Sequence, residues 1–191
     1  MKARQVTILS VLVLTTALAT LGLQKERPPA GEAFLAAADG FLGTLNDAEK
    51  KLAVMDYDNS ERVAWHFIPK DSRKGLVVKD MNTKQRKAAS QILRAGLSFL
   101  GYKKFTNIMK LEGVLHELEK ASPGRFPRDT ELYYYTLFGN PSKDGKWGVS
   151  IEGHHMSLNF VIENNVVISS TPQVMCSNPT IVPADLAGFE K

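Results

Sequence analysis

Apolar residues first fall into register at Glu32. In "EAFLAAADGFLGTL" Phe34, Leu35, Ala38, Phe41, Leu42 and Leu45 recur at three- and four-residue spacing, which predicts a helix over residues 32–45. Asn46 or Asp47 can cap a second helix, "AEKKLAVMDY". The stretch from Asp56 to Val78 mixes turn residues with aromatic and β-branched ones and reads as irregular chain with short strand. Thr83 is the expected N-cap of a third helix with Ala89, Ile92, Leu93, Leu97 and Leu100 as its stripe and Gly101 as its C-cap. A fourth, Thr106 to Lys120, carries Ile108, Leu111, Leu115 and Leu118 before Pro123 and Pro127 stop it.

Beyond Pro127 the period changes to two. "ELYYYTLFG" is strand-like and runs into the turn cluster "GNPSKDG"; the next strand, from Lys146, is expected to reach a hairpin turn at Glu163-Asn164-Asn165. Helices followed by strands predict an α+β fold, N-terminal helices and then an antiparallel sheet. Within the long strand the apolar set switches phase. Trp147, Val149 and Ile151 are odd-numbered, whereas Met156, Leu158, Phe160 and Ile162 are even. A β-bulge or sharp bend near Gly153 would keep one face buried through that switch. His154 would lie in the distortion, and His155, Ser157 and Asn159 would form a polar row on the opposite face.

The first thirty residues obey a different logic. Lys2 and Arg4 precede an uncharged run that includes Val6–Thr16 and the small-residue end Ala17-Leu18-Ala19. This order reads as a secretory signal peptide over residues 1–19, or as an uncleaved anchor reaching Leu23. Either places the bulk of the protein outside the cytoplasm, periplasmic or extracellular, and only the anchor brings membrane contact. Residues 20–31 read as a linker and 32–191 as a single domain. Losing Lys2 and Arg4 takes the basic residues from 24 to 22, against 20 acidic, so the mature chain is nearly balanced. The basic residues between Lys70 and Lys87 are dispersed without interleaved aromatics, which argues against nucleic acid as a partner. The single Cys176 has no second cysteine in the chain to pair with.

Familiar catalytic signatures are missing from the sequence: no glycine-rich phosphate loop, no G-x-S-x-G elbow, no C-x-x-C. "HELEK" at His116 lacks the second histidine of a zincin helix; Glu112 and Glu119 can share a helix face with His116 as a metal site, and the plainer reading of that face is a solvated one. "DYDNSE" lacks the glycine and the closing glutamate of a calcium loop. The polar row carries the remaining chemistry. Imidazoles ligate metals and move protons near neutral pH, and Ser and Asn can orient a substrate. A metal site needs a third ligand, which His66 or His116 can supply. The plainer reading is the wet face of an antiparallel strand.

The blocks "RVAWHFIP", "RKGL", "LSFLGYKKFTNIMKLEGVLHELE", "YYYTLFGNPS", "WGVSIEGHHMSLNF" and "STP" with a following "NP" resemble, in order and spacing over Ala33–Val182, the DUF3500 family of proteins of unknown function. The resemblance implies an exported bacterial protein and marks Arg62, Trp65, Gly153, His154, His155, Ser157 and Asn159 as family-typical. It implies no reaction and no cofactor. Cys176 stands where the family has a small residue, and the family pattern continues past Lys191, so the domain is expected to be incomplete at its C-terminus. Two functions follow as expectations. One is a metal-assisted hydrolase or ligand-binding protein, with His154, His155 and His66 as ligands of a divalent transition metal and Arg62, Trp65, Ser157 and Asn159 toward a small molecule. The other is a non-catalytic envelope module that contacts a partner without metal.

Overall fold

The computed structural model describes residues 29–189. The stretch read as signal peptide or anchor, and most of that read as linker, lies outside them. Helices and sheet follow in the expected α+β order. Helix α1 (Ala30–Leu42) opens two residues inside the stretch read as linker. Helix α2 (Asp47–Ala53) is capped by Asn46, whose side chain accepts from the Glu49 N–H at 2.9 Å while the Glu49 carboxylate accepts from the Asn46 N–H at 2.8 Å. The chain passes directly into β1 (Val54–Met55) and, after an irregular stretch, β2 (Leu76–Val77).

Helix α3 (Thr83–Gly96) is capped by Asn82 rather than Thr83. Asn82 and Gln85 exchange the two bonds of a capping box, which Thr83 one residue later cannot do. The helix stops at Gly96, and Ser98 caps a new one, α4 (Phe99–Leu118). Gly101 is therefore inside α4 instead of ending α3: the Ser98 hydroxyl accepts from its N–H at 3.1 Å. The apolar pattern ran through this break because Leu97 and Leu100 continue the spacing. Leu100, at 67% exposed, belongs to no core stripe. Among the described residues no helix is long and apolar enough to cross a membrane.

The sheet is mixed. Strands β3 (Tyr134–Phe138), β4 (Lys146–Gly153), β5 (Met156–Glu163) and β6 (Val166–Ser169) form an antiparallel meander. The outer edge of β3 is shared by β1, which runs parallel to it, and β2, which runs antiparallel. The outer edge of β5 is shared by β6 and β7 (Gln173–Met175).

The phase switch at Gly153 is a chain reversal, not a bulge. What reads as one long strand is two, and Gly153 pairs with Met156 across a two-residue turn made of His154 and His155. Trp147 then faces Ile162, Val149 faces Phe160 and Ile151 faces Leu158, so odd positions on β4 and even ones on β5 share a face. That face carries the core, with Phe34, Phe41, Ile92, Phe105 and Ile108 of the helices packed on it. The second turn, Asn164-Asn165, has both residues at positive φ (49° and 65°), as the tight primed hairpin turn requires.

Two glycines fix how the layers meet. A β-carbon on Gly31 would stand 1.9 Å from the Asn165 carbonyl oxygen, so α1 begins in backbone contact with the β5–β6 turn. A β-carbon on Gly153 would lie 2.3–2.9 Å from the Tyr133 ring. That ring is fully buried and packs against Phe105 with centroids 5.7 Å apart. Gly153→Ala is expected to lower unfolding stability by about 1–3 kcal/mol, the usual cost of overpacking. Urea denaturation of the variant measures it, and an unchanged midpoint would show that the ring yields freely.

Candidate metal centre

Two histidines sit at a tight turn held from three sides. The His155 N–H donates to the Phe67 carbonyl at 2.7 Å, and the Cys176 N–H donates to the His155 carbonyl at 2.9 Å. The Tyr133 hydroxyl donates to the His154 carbonyl at 3.1 Å. His155 is in the left-handed region (φ 61°), a conformation that a non-glycine residue keeps only where its surroundings enforce it. Here the irregular stretch after β1, the residue just before β3 and the residue just after β7 supply that enforcement. The two imidazoles stack with centroids 3.7 Å apart.

The third member of the cluster comes from α4. Glu112 is only 2% exposed, and its Oε1 lies 2.5 Å from His154 Nδ1, a contact in which a proton on Nδ1 would be donated to the carboxylate. Potential ligand atoms of Glu112, His154 and His155 all lie within 4.8 Å of one another. Burial chiefly, with His154 and Arg128 adding to it, holds the His155 imidazole below its ordinary range against the pull of the Glu112 carboxylate. A neutral imidazole is the form that ligates metal.

Two imidazoles and one carboxylate match the donor set of open catalytic zinc sites and of iron sites with vacant positions. Ligands on one tetrahedral ion with bonds of ~2.0–2.1 Å stand about 3.3 Å apart. For both atoms to bind one ion, Glu112 must therefore withdraw by less than about 1 Å from its hydrogen bond and the Nδ1 proton must pass to Nε2 or be released.

Arg128 borders the cluster. Its Nε and Nη2 donate to Glu119 at 2.9 and 3.0 Å, and its Nη1 stands 3.4 Å from His154 Nδ1. A cavity of about 20 Å³ touches Glu112, His154, Arg73 and Arg128, room for one water or ion. Residues 126–129 also line an open cleft of about 860 Å³.

The remaining candidate residues are elsewhere. His66 is exposed and takes part through its carbonyl, which accepts from Arg73 at 2.9 Å; it is not in the cluster, and Glu112 stands in its place. His116 is exposed on the rim of the larger cleft. His155 does not head the polar row, because the turn removes it from the strand. The row itself is buried: Ser157 is 0% exposed and Asn159 8%. Asn159 accepts from the Ser150 hydroxyl at 2.9 Å and donates to Ser157 Oγ and the Pro172 carbonyl, each at 3.0 Å. Its amide is thus spent on the fold. The row ends at Glu152, bonded by Lys74 at 2.6 Å, with Arg73 at 3.8 Å.

A solvated face was the plain expectation, but the irregular chain between β1 and β2 and the Pro172 segment fold over it. Arg62, Trp65 and Asn159 do come together, around a cavity of about 140 Å³ away from the histidines. Arg62 is already engaged there, its Nε donating to the Tyr57 carbonyl at 2.7 Å.

Glu112 was the residue that spacing undervalued. It sits at i, i+4, i+7 with Ile108 and Leu115, both buried, so the signal was a carboxylate in an apolar stripe. No curated protein and no solved structure matches the chain. The family model described as "Protein of unknown function (DUF3500)" matches residues 29–190, nearly the whole chain, and the protein belongs to that family.

Proposed function

We propose that this protein is an exported metal-binding protein in which Glu112, His154 and His155 hold one divalent transition ion. The observation that carries the reading is the convergence of three ligand atoms within 4.8 Å from a clamped turn and a buried helix position. Export is supported by the basic, apolar, small-residue order of the leader. Three protein ligands leave coordination positions for water or substrate, and the neighbouring cleft of about 860 Å³ has room for an organic molecule. Metal-assisted hydrolysis is the chemistry the centre would support: Glu112, His154 and His155 would hold the ion, which would supply an activated water and polarise an acyl or phosphoryl oxygen. His154 and His155 act as ligands, held in place by the bonds to Phe67, Tyr133 and Cys176.

The 2.5 Å contact between His154 and Glu112 favours a second reading, in which the pair satisfies itself and the protein is a metal-free interaction module. Elemental analysis of the purified protein, with zinc and cobalt titrations followed by calorimetry, decides between them. One ion per chain is expected, with thermal stability rising as the free ion exceeds its dissociation constant. No stoichiometric ion and an unchanged melting temperature would leave the metal-free module.

A further inference from the structure

We propose that the metal-loaded centre is a receptor for small oxyanions, binding a carboxylate or phosphate group on the ion with Arg128 beside it. This rests on the metal reading above and names the class of ligand that the same centre takes.

Charge balance carries the argument. The wall of the small cavity holds three cationic side chains (Lys70, Arg73 and Arg128) against two carboxylates, Glu112 and Asp129. The neighbours do not change the sign. Asp129 is paired with Lys79 at 2.7 Å, Arg73 shares Glu152 with Lys74, and Arg128 is paired with Glu119. A divalent ion adds two positive charges, and Glu112 is the only charged ligand among the three. Charge held away from water demands a partner, so the open coordination positions favour an anion over a neutral ligand.

Arg128 is placed to take part. Two of its nitrogens hold Glu119, whereas Nη1 is directed toward His154. A guanidinium presents five N–H donors in a planar fork that suits two oxygens of one oxyanion. The residue also stands in the walls of both the small cavity and the large cleft. The small cavity takes no more than the ion or one oxygen, so an oxyanion between metal and Arg128 has its remainder on the side of the cleft whose wall Arg128 shares.

The full chain loaded with Co²⁺, whose visible absorption reports its coordination, is titrated with acetate and with methylphosphonate at constant ionic strength, chloride being the control. A saturable spectral change is expected, with Co²⁺ bound about tenfold tighter in the presence of the oxyanion, since coupling is reciprocal. Arg128→Gln is expected to weaken the oxyanion response by about tenfold. Glu119→Gln, which frees Arg128 from its carboxylate, is expected to strengthen it, an effect that a purely structural role for Arg128 does not produce. Cobalt bound without any oxyanion response, or responses identical in the wild type and both variants, would overturn this proposal alone. Failure of the wild-type chain to bind cobalt would overturn the metal reading together with it.

Discussion

His155→Gly is expected to abolish tight metal binding while leaving the fold as stable as the wild type or slightly more so. The substitution deletes one of three ligands, which weakens binding by about 100-fold or more. It also relieves the left-handed backbone at φ 61°, where glycine carries no steric penalty. The two effects point in opposite directions, so lost binding cannot be blamed on unfolding. His154→Ala should lose the ion equally but fold less well, because Glu112, 2% exposed, is left without its hydrogen-bonded partner. Calorimetric zinc titration and urea denaturation of both variants check this, and zinc bound by His155→Gly with wild-type affinity would remove His155 from the ligand set.

The metal-free protein adds a pH signature. His155 is held below its ordinary value of 6.5 in the folded state. As the pH falls through that value the unfolded chain takes up the proton first, so stability declines with acidification until the folded imidazole also protonates. Glycine at this position removes that contribution.

Much of this architecture is legible in the sequence, and the places where it is not have specific causes. Period-two alternation marks β3 to β6, and the paired asparagines at 164 and 165 mark their turn. The switch of parity at Gly153 is equally visible. A parity switch, however, is what both a bulge and a two-residue reversal produce, and only the pairing of Ile151 with Leu158 tells them apart. The histidines were found because they are adjacent. Glu112 was not assigned to them because 42 residues separate it from His154, and sequence spacing contains no information about contacts across that distance. The burial of Ser157 and Asn159 was missed for another reason. The chain beside Asn159, around Trp65 and Pro172, has no periodicity to read.

The same covering chain supports the second large expectation, that Glu152→Leu destabilises the protein by about 3–5 kcal/mol. The Glu152 side chain is 4% exposed and accepts from Lys74, whose side chain is 3% exposed, at 2.6 Å. Removing the carboxylate leaves the ammonium buried with only the Ala64 carbonyl, 3.2 Å away, to satisfy it. Lys74→Met combined with Glu152→Leu removes the close pair but leaves Arg73, whose side chain is 3% exposed, with only the His66 and Ile68 carbonyls, so it should recover part of the loss. Urea denaturation of the two single variants and the double variant measures the cycle. Additive losses would show that the two side chains act independently.

One consequence follows from the contact between Gly31 and the Asn164-Asn165 turn. The chain enters the fold beside that turn, whereas the histidine turn closes the opposite end of β5. Eight residues of strand at ~3.4 Å each put about 25 Å between them. The first turn of α1 is thus held at the pole remote from the imidazoles. A substitution in the Asn164-Asn165 turn therefore loosens the seat of α1 without touching the residues around the imidazoles.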